Sequence, residues 1–308
     1  MYGFSRDIMF FMSELSNHEN EIPQARPDRI NRANAPTDGE GHVYHLRLKP
    51  GDVPPYAILP GDPARTLLIA QDWDRYSEIA FNREFKTVAG EYKGIPVAAV
   101  STGIGAASSE ICIHELHTLG VHTCVRVGTT GCLQEDYDLG DLIIPVACVR
   151  KDGTSDAYIE PAYPAAADQL VVMALMQACE TLGYRYGVGI SYTVGSFYIG
   201  QGRPIADAFS GVSYQPSFMD DLLPDLTGAG VLNIEMEAAG QFVVGRLHGM
   251  RMGAIFAVIA NRVTNRFGDA GGEVKASRAA TEAVRILNEW DNSGKITLNL
   301  SQTYKIGG

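Results

Sequence analysis

From His42 onward, the chain is organised as short apolar runs, each of which stops at glycine, threonine or serine and precedes a helical pattern. The runs are rich in valine and isoleucine, which is typical of strands buried on both faces of a parallel sheet. The candidate strands are residues 57–59, 97–101, 123–127, 142–146, 187–193, 231–234 and 254–259. Their alternation with helices predicts an α/β fold with a largely parallel core sheet, whose ligands gather at the carboxyl ends of the strands.

Four helices are predicted between and after these strands. Residues 108–118 carry side chains at helical spacing, and Gly120 stops the pattern. Asp168 can cap a second helix that ends at Gly183. The other two helices are predicted over residues 237–247 and 275–290.

Composition and charge limit the class of function. A chain of 308 residues that is 45% hydrophobic can bury the core of one large domain. Its net charge of -11 argues against binding to nucleic acid, because such a surface is basic. Five cysteines without disulfide or zinc spacing favour a reducing, cytoplasmic compartment. The apolar patch 8–12 is too short to span a membrane, so no membrane partner is expected.

The start of the chain differs from the rest. Residues 13–41 contain three prolines and many polar side chains, with almost no apolar periodicity. This composition predicts a partly mobile N-terminal arm over residues 1–41. The main domain is then expected over residues 42–292, and a C-terminal tail over residues 293–308.

Two strand ends carry groups that suit an oxyanion. Arg126 precedes a glycine- and threonine-rich segment at 128–131, read as a turn with free backbone N–H groups and hydroxyls. Arg65 lies just past Gly61, where a phosphate can approach the backbone closely. A lone arginine is most often part of a surface ion pair, but two of the candidates Arg65, Arg83 and Arg126 abut glycine turns. If they converge on one dianion, they can hold free phosphate.

Two cofactor signals are weak. The loop 101–108 follows a strand and opens a helix, as a dinucleotide-binding loop does, but Ser108 replaces the third glycine of that fingerprint. A tight turn before a helix start is favoured instead. His114 and His117 lie one helical turn apart, but no third ligand is within sequence reach, so no metal site is expected.

Two further segments present polar groups that suit a nucleoside. Glu235 and Glu237 can face one side of the sheet and accept hydrogen bonds from sugar hydroxyls, with Met236 as a polarizable floor. The alternative is an acidic helix start. Gln201 with Arg203 matches the carbonyl, N–H, carbonyl edge of uracil, beside an aromatic face at residue 197. The alternative there is a turn with a polar pair.

Taken together, six motifs in this order resemble the uridine-cleaving members of the nucleoside phosphorylase-I superfamily. The resemblance covers roughly residues 42–290. It implies a single-domain, three-layer α/β/α fold around a largely parallel mixed sheet. The motifs are Pro60-Gly61-Asp62-Pro63-x-Arg65, Arg83-Glu84-Phe85, Arg126-x-Gly128-Thr129-Thr130-Gly131, Phe197-Tyr198-x-Gly200-Gln201-x-Arg203, Glu235-Met236-Glu237 and Val258-Ile259-Ala260-Asn261-Arg262.

The resemblance implies a role for each motif. Phosphate would be bound by Gly61, Arg65, Arg126 and Thr129, with Arg83 supplied by a neighbouring subunit. Ribose would be bound by Thr129, Glu235, Met236 and Glu237, with His45 of the neighbour. The base would be bound by Phe197, Gln201, Arg203, Ile259 and Ala260. The residues with catalytic roles would be Arg126, Gln201, Arg203 and Glu237.

The implied activity is reversible phosphorolysis of uridine to uracil and ribose 1-phosphate, in pyrimidine salvage. Inorganic phosphate is a co-substrate, and no cofactor is expected. Shared sites imply a homodimer, and further assembly into a trimer of dimers is left open. Purine-selective members of the superfamily carry an acid near the position of Asn261 to protonate the purine, so its absence favours uracil.

Three other functions remain open from the residues alone. A nucleosidase of the same fold would use water, with Glu235 or Glu237 as the base, although the three arginines argue against it. A nicotinamide-dependent oxidoreductase would use the loop 101–108. An inactive nucleoside-binding protein would keep the same residues without turnover.

Overall fold

The computed structural model describes residues 36–38, 40–205 and 214–300. The chain divides into two units, Met1–His42 and Val43–Gly308. In the first unit, the Asp38 carboxylate accepts hydrogen bonds from the backbone N–H groups of Glu40 and His42. Most of the predicted arm, and the predicted tail beyond residue 300, lie outside the described residues.

Six helices occur in the described part of the second unit, and four of them confirm predicted helices. Asp168 caps the third helix by accepting hydrogen bonds from the backbone N–H groups of Leu170 and Val171. Gly183 ends the same helix in a left-handed conformation, with φ of 68°. The helices are α1 (Arg65–Ala70), α2 (Ala106–Thr118), α3 (Gln169–Leu182), α4 (Met219–Gly228), α5 (Ala238–Leu247) and α6 (Gly272–Ser293).

The described strands include all seven that the sequence predicts. They are β1 (Tyr56–Pro60), β2 (Arg75–Asn82), β3 (Phe85–Tyr92), β4 (Ile95–Val100), β5 (Thr123–Cys132), β6 (Leu142–Lys151), β7 (Ala165–Ala166), β8 (Tyr186–Val194), β9 (Val231–Glu235), β10 (Arg251–Asn261) and β11 (Arg266–Phe267). β2 and β3 form an antiparallel hairpin at one edge of the sheet.

The strands form one mixed sheet, part of which closes on itself. β4, β1, β5 and β10 pair in parallel, and β6, β8 and β9 form a second parallel block. Antiparallel pairs of β10 with β6 and of β9 with β5 join the two blocks. The strands β5, β10, β6, β8 and β9 therefore form a closed ring of paired strands.

Helices cover both faces of this sheet, as the three-layer prediction requires. On one face, α3 and α6 share a buried cluster with Ile255 of β10. On the other face, α2 and α5 share a second buried cluster with Phe256, the next residue of β10. Because successive residues of a strand point to opposite faces, β10 contributes to both cores.

The turn predicted at residues 128–131 is wrong. β5 continues to Cys132, and its segment from Gly128 onward pairs with β10. A Cβ at Gly128 would lie 3.0 Å from the ring of Phe256 and 3.1 Å from Nη2 of Arg126. Glycine at this position therefore provides room for close side-chain packing within a strand and does not end the strand.

None of the helices in the described part of the chain combines the length and the apolar character that a membrane span requires.

Candidate active site

A cavity of about 770 Å³ opens at the carboxyl ends of β1, β5, β9 and β10. It brings together all the predicted site residues except Arg83 and His45. The predicted residues in its lining are Gly61, Arg65, Arg126, Thr129, Phe197, Gln201, Arg203, Glu235, Met236, Glu237, Ile259 and Ala260.

Strand register positions the arginine end of the cavity. β1 and β5 run side by side in parallel, with Leu59 opposite Arg126. Gly61 follows β1 directly, and Arg65 is the first residue of α1. The backbone N–H of Gly103 donates to the carbonyl of Gly61 at 3.0 Å, which fixes this strand end against the neighbouring loop.

Arg126 is a buried cation between two carboxylates. Only 4% of the residue is exposed. Its Nε lies 3.3 Å from Oε2 of Glu235, and its Nη2 donates to Glu237. The guanidinium also lies over the ring of Phe256, 5.5 Å from the centroid. Among the described residues, nothing accepts a hydrogen bond from its Nη1. A buried donor without an acceptor suits an anionic ligand.

Arg65 supplies the second guanidinium of the cavity. Its Nε and Nη2 donate to the two carboxylate oxygens of Glu273 at 3.0 and 2.7 Å. This edge-on pairing leaves Nη1 outside the ion pair. The arginine end of the cavity therefore contains two arginines, Arg65 and Arg126, each held by carboxylates and each with donors to spare.

Glu235 and Glu237 differ in their surroundings. Glu235 accepts hydrogen bonds from the backbone N–H groups of Glu237 and Ala238, and from the hydroxyl of Thr193. It thus caps the start of α5, as the helix-start alternative holds. Burial raises the pKa of Glu235, and Glu237 adds to that rise while Arg126 opposes it. Glu237 instead accepts from the N–H of Gly105, at 2.7 Å, in the loop before α2.

The base end is organised by Arg203. Gln201 lies in a short 3₁₀ turn, Ile199–Gln201, and only 3% of it is exposed. Nη1 of Arg203 donates to Oε1 of Gln201 and to the carbonyl of Phe197. Because arginine only donates, the amide oxygen faces Arg203, and Nε2 of Gln201 lies on its other side. Together, the two side chains present the donor groups of Arg203, the acceptor Oε1 of Gln201 and the donor Nε2 of Gln201, in that order.

Aromatic and aliphatic side chains complete this end. The guanidinium of Arg203 stacks 4.0 Å from the ring centroid of Phe197. Arg262 donates to the carbonyl of Gln201 at 2.9 Å and so holds the 3₁₀ turn. Burial lowers the pKa of Arg203, and the nearby Arg262 lowers it further. Phe267 is 82% exposed and also lines the cavity, so its ring borders the opening.

Several lining residues were not predicted. Glu84 and Ser108 face the cavity and are joined by a hydrogen bond of 2.9 Å, in which the hydroxyl donates. Ile104 and Phe267 also line it. Glu84 lies in the Arg83-Glu84-Phe85 motif and Ser108 in the glycine loop, so both motifs contained a signal. Ile104 lies in the same glycine loop, but neither its side chain nor that of Phe267 suggested a role in the site.

His45 and Arg83 lie together, outside the lining. Nδ2 of Asn82 donates to the carbonyl of His45 at 2.8 Å, and Arg83 follows in the exposed turn between β2 and β3. Nδ1 of His45 is hydrogen-bonded to the carboxylate of Glu115 at 2.8 Å, and Nε2 is the ring nitrogen outside this hydrogen bond. Arg83 adopts φ of 55°, which turns the chain sharply.

Asn261 does not face the cavity. Its side-chain N–H groups donate to the carbonyls of Gln134 and Tyr137 at 2.9 and 2.8 Å. Its oxygen accepts from the backbone N–H groups of Val263 and Thr264. With 2% of the residue exposed, Asn261 joins two loops and is absent from the described lining.

Comparison with known proteins places the chain in a class. The family model described as the phosphorylase superfamily matches residues 55–289, which include every element from β1 to most of α6. The chain belongs to the phosphorylase superfamily.

Particular relatives are similar over most of their length. A uridine phosphorylase of Thermococcus kodakarensis is 50% identical over 259 residues, covering 84% of this chain and 91% of that protein. The uridine phosphorylase of Escherichia coli is 36% identical over 253 residues, covering 80% of this chain and 98% of its own. A guanosine phosphorylase of Halorubrum lacusprofundi is also 36% identical, over 246 residues, covering 79% of this chain and 95% of that protein.

Proposed function

We propose that this protein is a uridine phosphorylase, which converts uridine and inorganic phosphate reversibly into uracil and ribose 1-phosphate. One observation carries the proposal. A single cavity is lined by the guanidiniums of Arg65 and Arg126, by the ordered edge of Gln201 and Arg203, and by Met236 and Glu237. These three sets of groups suit a dianion, a uracil and a sugar, respectively.

Phosphate binds between Arg65 and Arg126. The unpaired Nη1 of Arg126 and the hydroxyl of Thr129 supply donors on the strand side. Holding the nucleophile beneath the anomeric carbon makes attack effectively unimolecular, which supplies much of the acceleration. As the glycosidic bond breaks, positive charge grows on the ribose, and the bound dianion stabilises it, as in glycoside hydrolysis.

Uracil leaves as an anion whose charge spreads over its carbonyl oxygens. Arg203 and Nε2 of Gln201 donate toward those oxygens, where charge develops in the transition state. Oε1 of Gln201 accepts from the base N–H. Because Arg203 already fixes the amide orientation, little reorganisation is needed when the bond breaks.

The same order of groups selects the base. Uracil presents an acceptor, a donor and an acceptor, which complement the donor, acceptor and donor of the site. Cytosine presents an acceptor where the site has Oε1, and a donor where it has Arg203. Two mismatched buried contacts each cost about 1 to 3 kcal/mol, so cytidine is expected to be a poor substrate.

A second copy of the chain completes the site. Half-buried His45 and exposed Arg83 form one surface patch, next to a strand that carries apolar side chains outward. On β2, Tyr76, Ile79 and Phe81 are 45%, 43% and 56% exposed. An apolar edge strand of this kind is suited to an interface between proteins. We infer a homodimer in which each patch reaches the partner's cavity.

The reaction needs no cofactor beyond the co-substrate phosphate, since the groups named above provide binding and charge stabilisation. The five cysteines are free and buried. Free thiols are typical of reducing compartments, which supports a cytoplasmic enzyme of pyrimidine salvage.

A panel of nucleosides tests the proposed substrate. Uridine, cytidine and guanosine are incubated with the protein and phosphate, and the free base and ribose 1-phosphate are quantified. We expect uridine to be cleaved with a kcat/KM at least about tenfold above both others. Guanosine is the essential comparison, because a relative named for it is as similar as the Escherichia coli enzyme. Preferred cleavage of guanosine would refute the assignment of the base.

Mixed dimers test the shared site. Arg126→Ala removes a residue of the cavity, whereas Arg83→Ala removes a residue of the patch. Each variant alone is expected to be nearly inactive. After joint refolding, a mixed dimer contains one site with both arginines intact, so activity should return in part. If the mixture is no more active than the separate variants, Arg83 does not act across subunits.

A further inference from the structure

Glu273 forms an ion pair with Arg65, an arginine that lines the cavity. Both oxygens of its carboxylate accept hydrogen bonds from Arg65, at 2.7 and 3.0 Å. Arg65 lines the cavity, whereas Glu273 is absent from the lining that the described residues form. The carboxylate therefore contacts the arginine without contacting a ligand in the cavity. Apart from its long-range charge, any effect that it has on a ligand passes through Arg65.

Both residues are anchored on helix starts. Arg65 is the first residue of α1, and Glu273 lies in the first turn of α6. The two side chains are only 21% and 25% exposed. A two-bond fork between arginine and carboxylate fixes the plane of the guanidinium as well as its place. Nη1 and the second hydrogen of Nη2 remain for a ligand.

The Glu273 carboxylate can affect phosphate binding in two opposite ways, one through its charge and one through the orientation of Arg65. A carboxylate near the phosphate repels it, so its removal would tighten phosphate binding if charge alone mattered. A fixed guanidinium loses less rotamer freedom when phosphate binds, so removal of the carboxylate would weaken binding if orientation mattered more. The sign of the effect decides between them.

We propose that Glu273 is a positioning residue for phosphate, which orients Arg65 toward the dianion. The inference rests on the proposed function, because it takes phosphate as the ligand of Arg65. It adds to the site a residue that lies outside the cavity, in the first turn of α6.

The chain offers a matched control. Nε of Arg278 on α6 donates to Asp72, just after α1, at 2.6 Å. This bridge joins the same two regions, but its partners are 48% and 40% exposed and neither lines the cavity. Asp72→Asn therefore breaks a comparable bridge and leaves Arg65 and Glu273 paired. It reports the effect of weakening the contact between these regions alone.

Phosphate binding is measured by calorimetry with inorganic phosphate alone, and then by steady-state kinetics. Glu273→Gln should raise the Kd and the KM for phosphate about tenfold, because one hydrogen bond of the fork is lost. The KM for uridine and the melting temperature should stay close to those of Asp72→Asn. Glu273→Asp, which keeps the charge, should weaken phosphate binding less than Glu273→Gln does.

A double variant separates positioning from general damage. In an Arg65→Ala background, Glu273→Gln should have no further effect on phosphate binding. Unchanged or tighter phosphate binding in Glu273→Gln would overturn the inference, as would an equal loss in the Arg65→Ala background. If the parent protein cleaves uridine with phosphate in either case, the proposed function stands. A parent protein that binds no phosphate overturns both.

Discussion

At the arginine end of the cavity, Arg126 is fixed within a strand, whereas at the base end Gln201 and Arg203 are fixed in and beside a turn. Arg126 lies inside β5, which pairs with β1 on one side and β10 on the other, and 4% of it is exposed. Gln201 and Arg203 lie in and just after a 3₁₀ turn, held by side-chain contacts to Arg262 and Phe197. The backbone fixes the first set of groups, and side chains fix the second.

The difference suits the two ligands. Phosphate is the same in every phosphorolysis, so its donors can be fixed by the sheet. The base differs between relatives, and a turn can change without disturbing the sheet. The uridine phosphorylase of Escherichia coli and the guanosine phosphorylase of Halorubrum lacusprofundi are each 36% identical to this chain, whereas the uridine phosphorylase of Thermococcus kodakarensis is 50% identical. Identity at the 36% level therefore does not separate the two bases, and we expect contacts at the turn-built end to do so.

Arg126→Ala tests the strand-built end and carries the largest expected effect. The change removes the proposed phosphate donor and takes away the cation that pairs with buried Glu235 and Glu237. We expect kcat/KM for uridine to fall roughly 100- to 1,000-fold, and the free energy of unfolding to fall by about 3 kcal/mol. Uracil release and urea unfolding measure the two quantities.

Arg126→Lys is the matched control, because it keeps the charge and loses the fork. It should be more stable than Arg126→Ala, and its KM for phosphate should still be higher than that of the parent protein. An unchanged phosphate dependence in both variants would contradict the assignment of Arg126.

Asn261→Asp tests whether this position chooses the base directly. The carboxylate would face two carbonyls that now accept hydrogen bonds from the amide. We expect a loss of about 2 kcal/mol in the free energy of unfolding, and no new cleavage of guanosine, because the side chain does not face the cavity. Thermal unfolding and the nucleoside panel check both. A gain in guanosine cleavage would show that the side chain reaches the base.

Gln201→Leu tests the turn-built end. The base N–H and one carbonyl lose their partners, at about 1 to 3 kcal/mol, which corresponds to a fall of roughly 5- to 150-fold in kcat/KM for uridine. The KM for phosphate should change less than about twofold, because the two ends are fixed separately. A large rise in that KM would mean that the ends are coupled and that the contrast between them is false.

His248→Gln carries the smallest expected effect and lies away from both ends. Burial lowers the pKa of His248, and His117 and His114 lower it further. Since the folded-state pKa is below the ordinary value, protonation favours the unfolded chain, and stability falls as the pH drops below about 6.5. Between pH 7.5 and pH 5.5, the free energy of unfolding should fall less in the variant than in the parent protein. The difference should be below about 1 kcal/mol, because His248 is partly exposed. Urea unfolding at pH 7.5 and at pH 5.5 measures it, and an unchanged slope would contradict this account.

The sequence predicted the buried strands well because apolar runs with glycine ends carry that signal directly. It did not predict β2, whose side chains are mostly exposed and therefore form no apolar run. The helix α4 was also missed, because Pro224 lies inside it. The end of β5 was placed too early, since glycine is usual in turns, and only the packing of Gly128 against Phe256 explains a glycine there.

The site was predictable as a set of residues and not as a set of contacts. The motifs gave nearly all the lining, because each lies in or just after a strand end, or in a loop beside one. They offered an acidic helix start for Glu235 only as an alternative, and they did not reveal that Asn261 joins two loops. Nor did they pair Arg65 with Glu273, which is 208 residues away. Such pairings depend on tertiary packing, which local patterns do not carry.

The decisive measurement is uracil formation from uridine, first in phosphate-free buffer and then across a phosphate titration. We expect no uracil without phosphate, saturable formation with it, and one ribose 1-phosphate for each uracil. Formation of uracil and free ribose in the absence of phosphate would contradict this expectation, because water would then be the nucleophile and the arginines would have no dianion to hold.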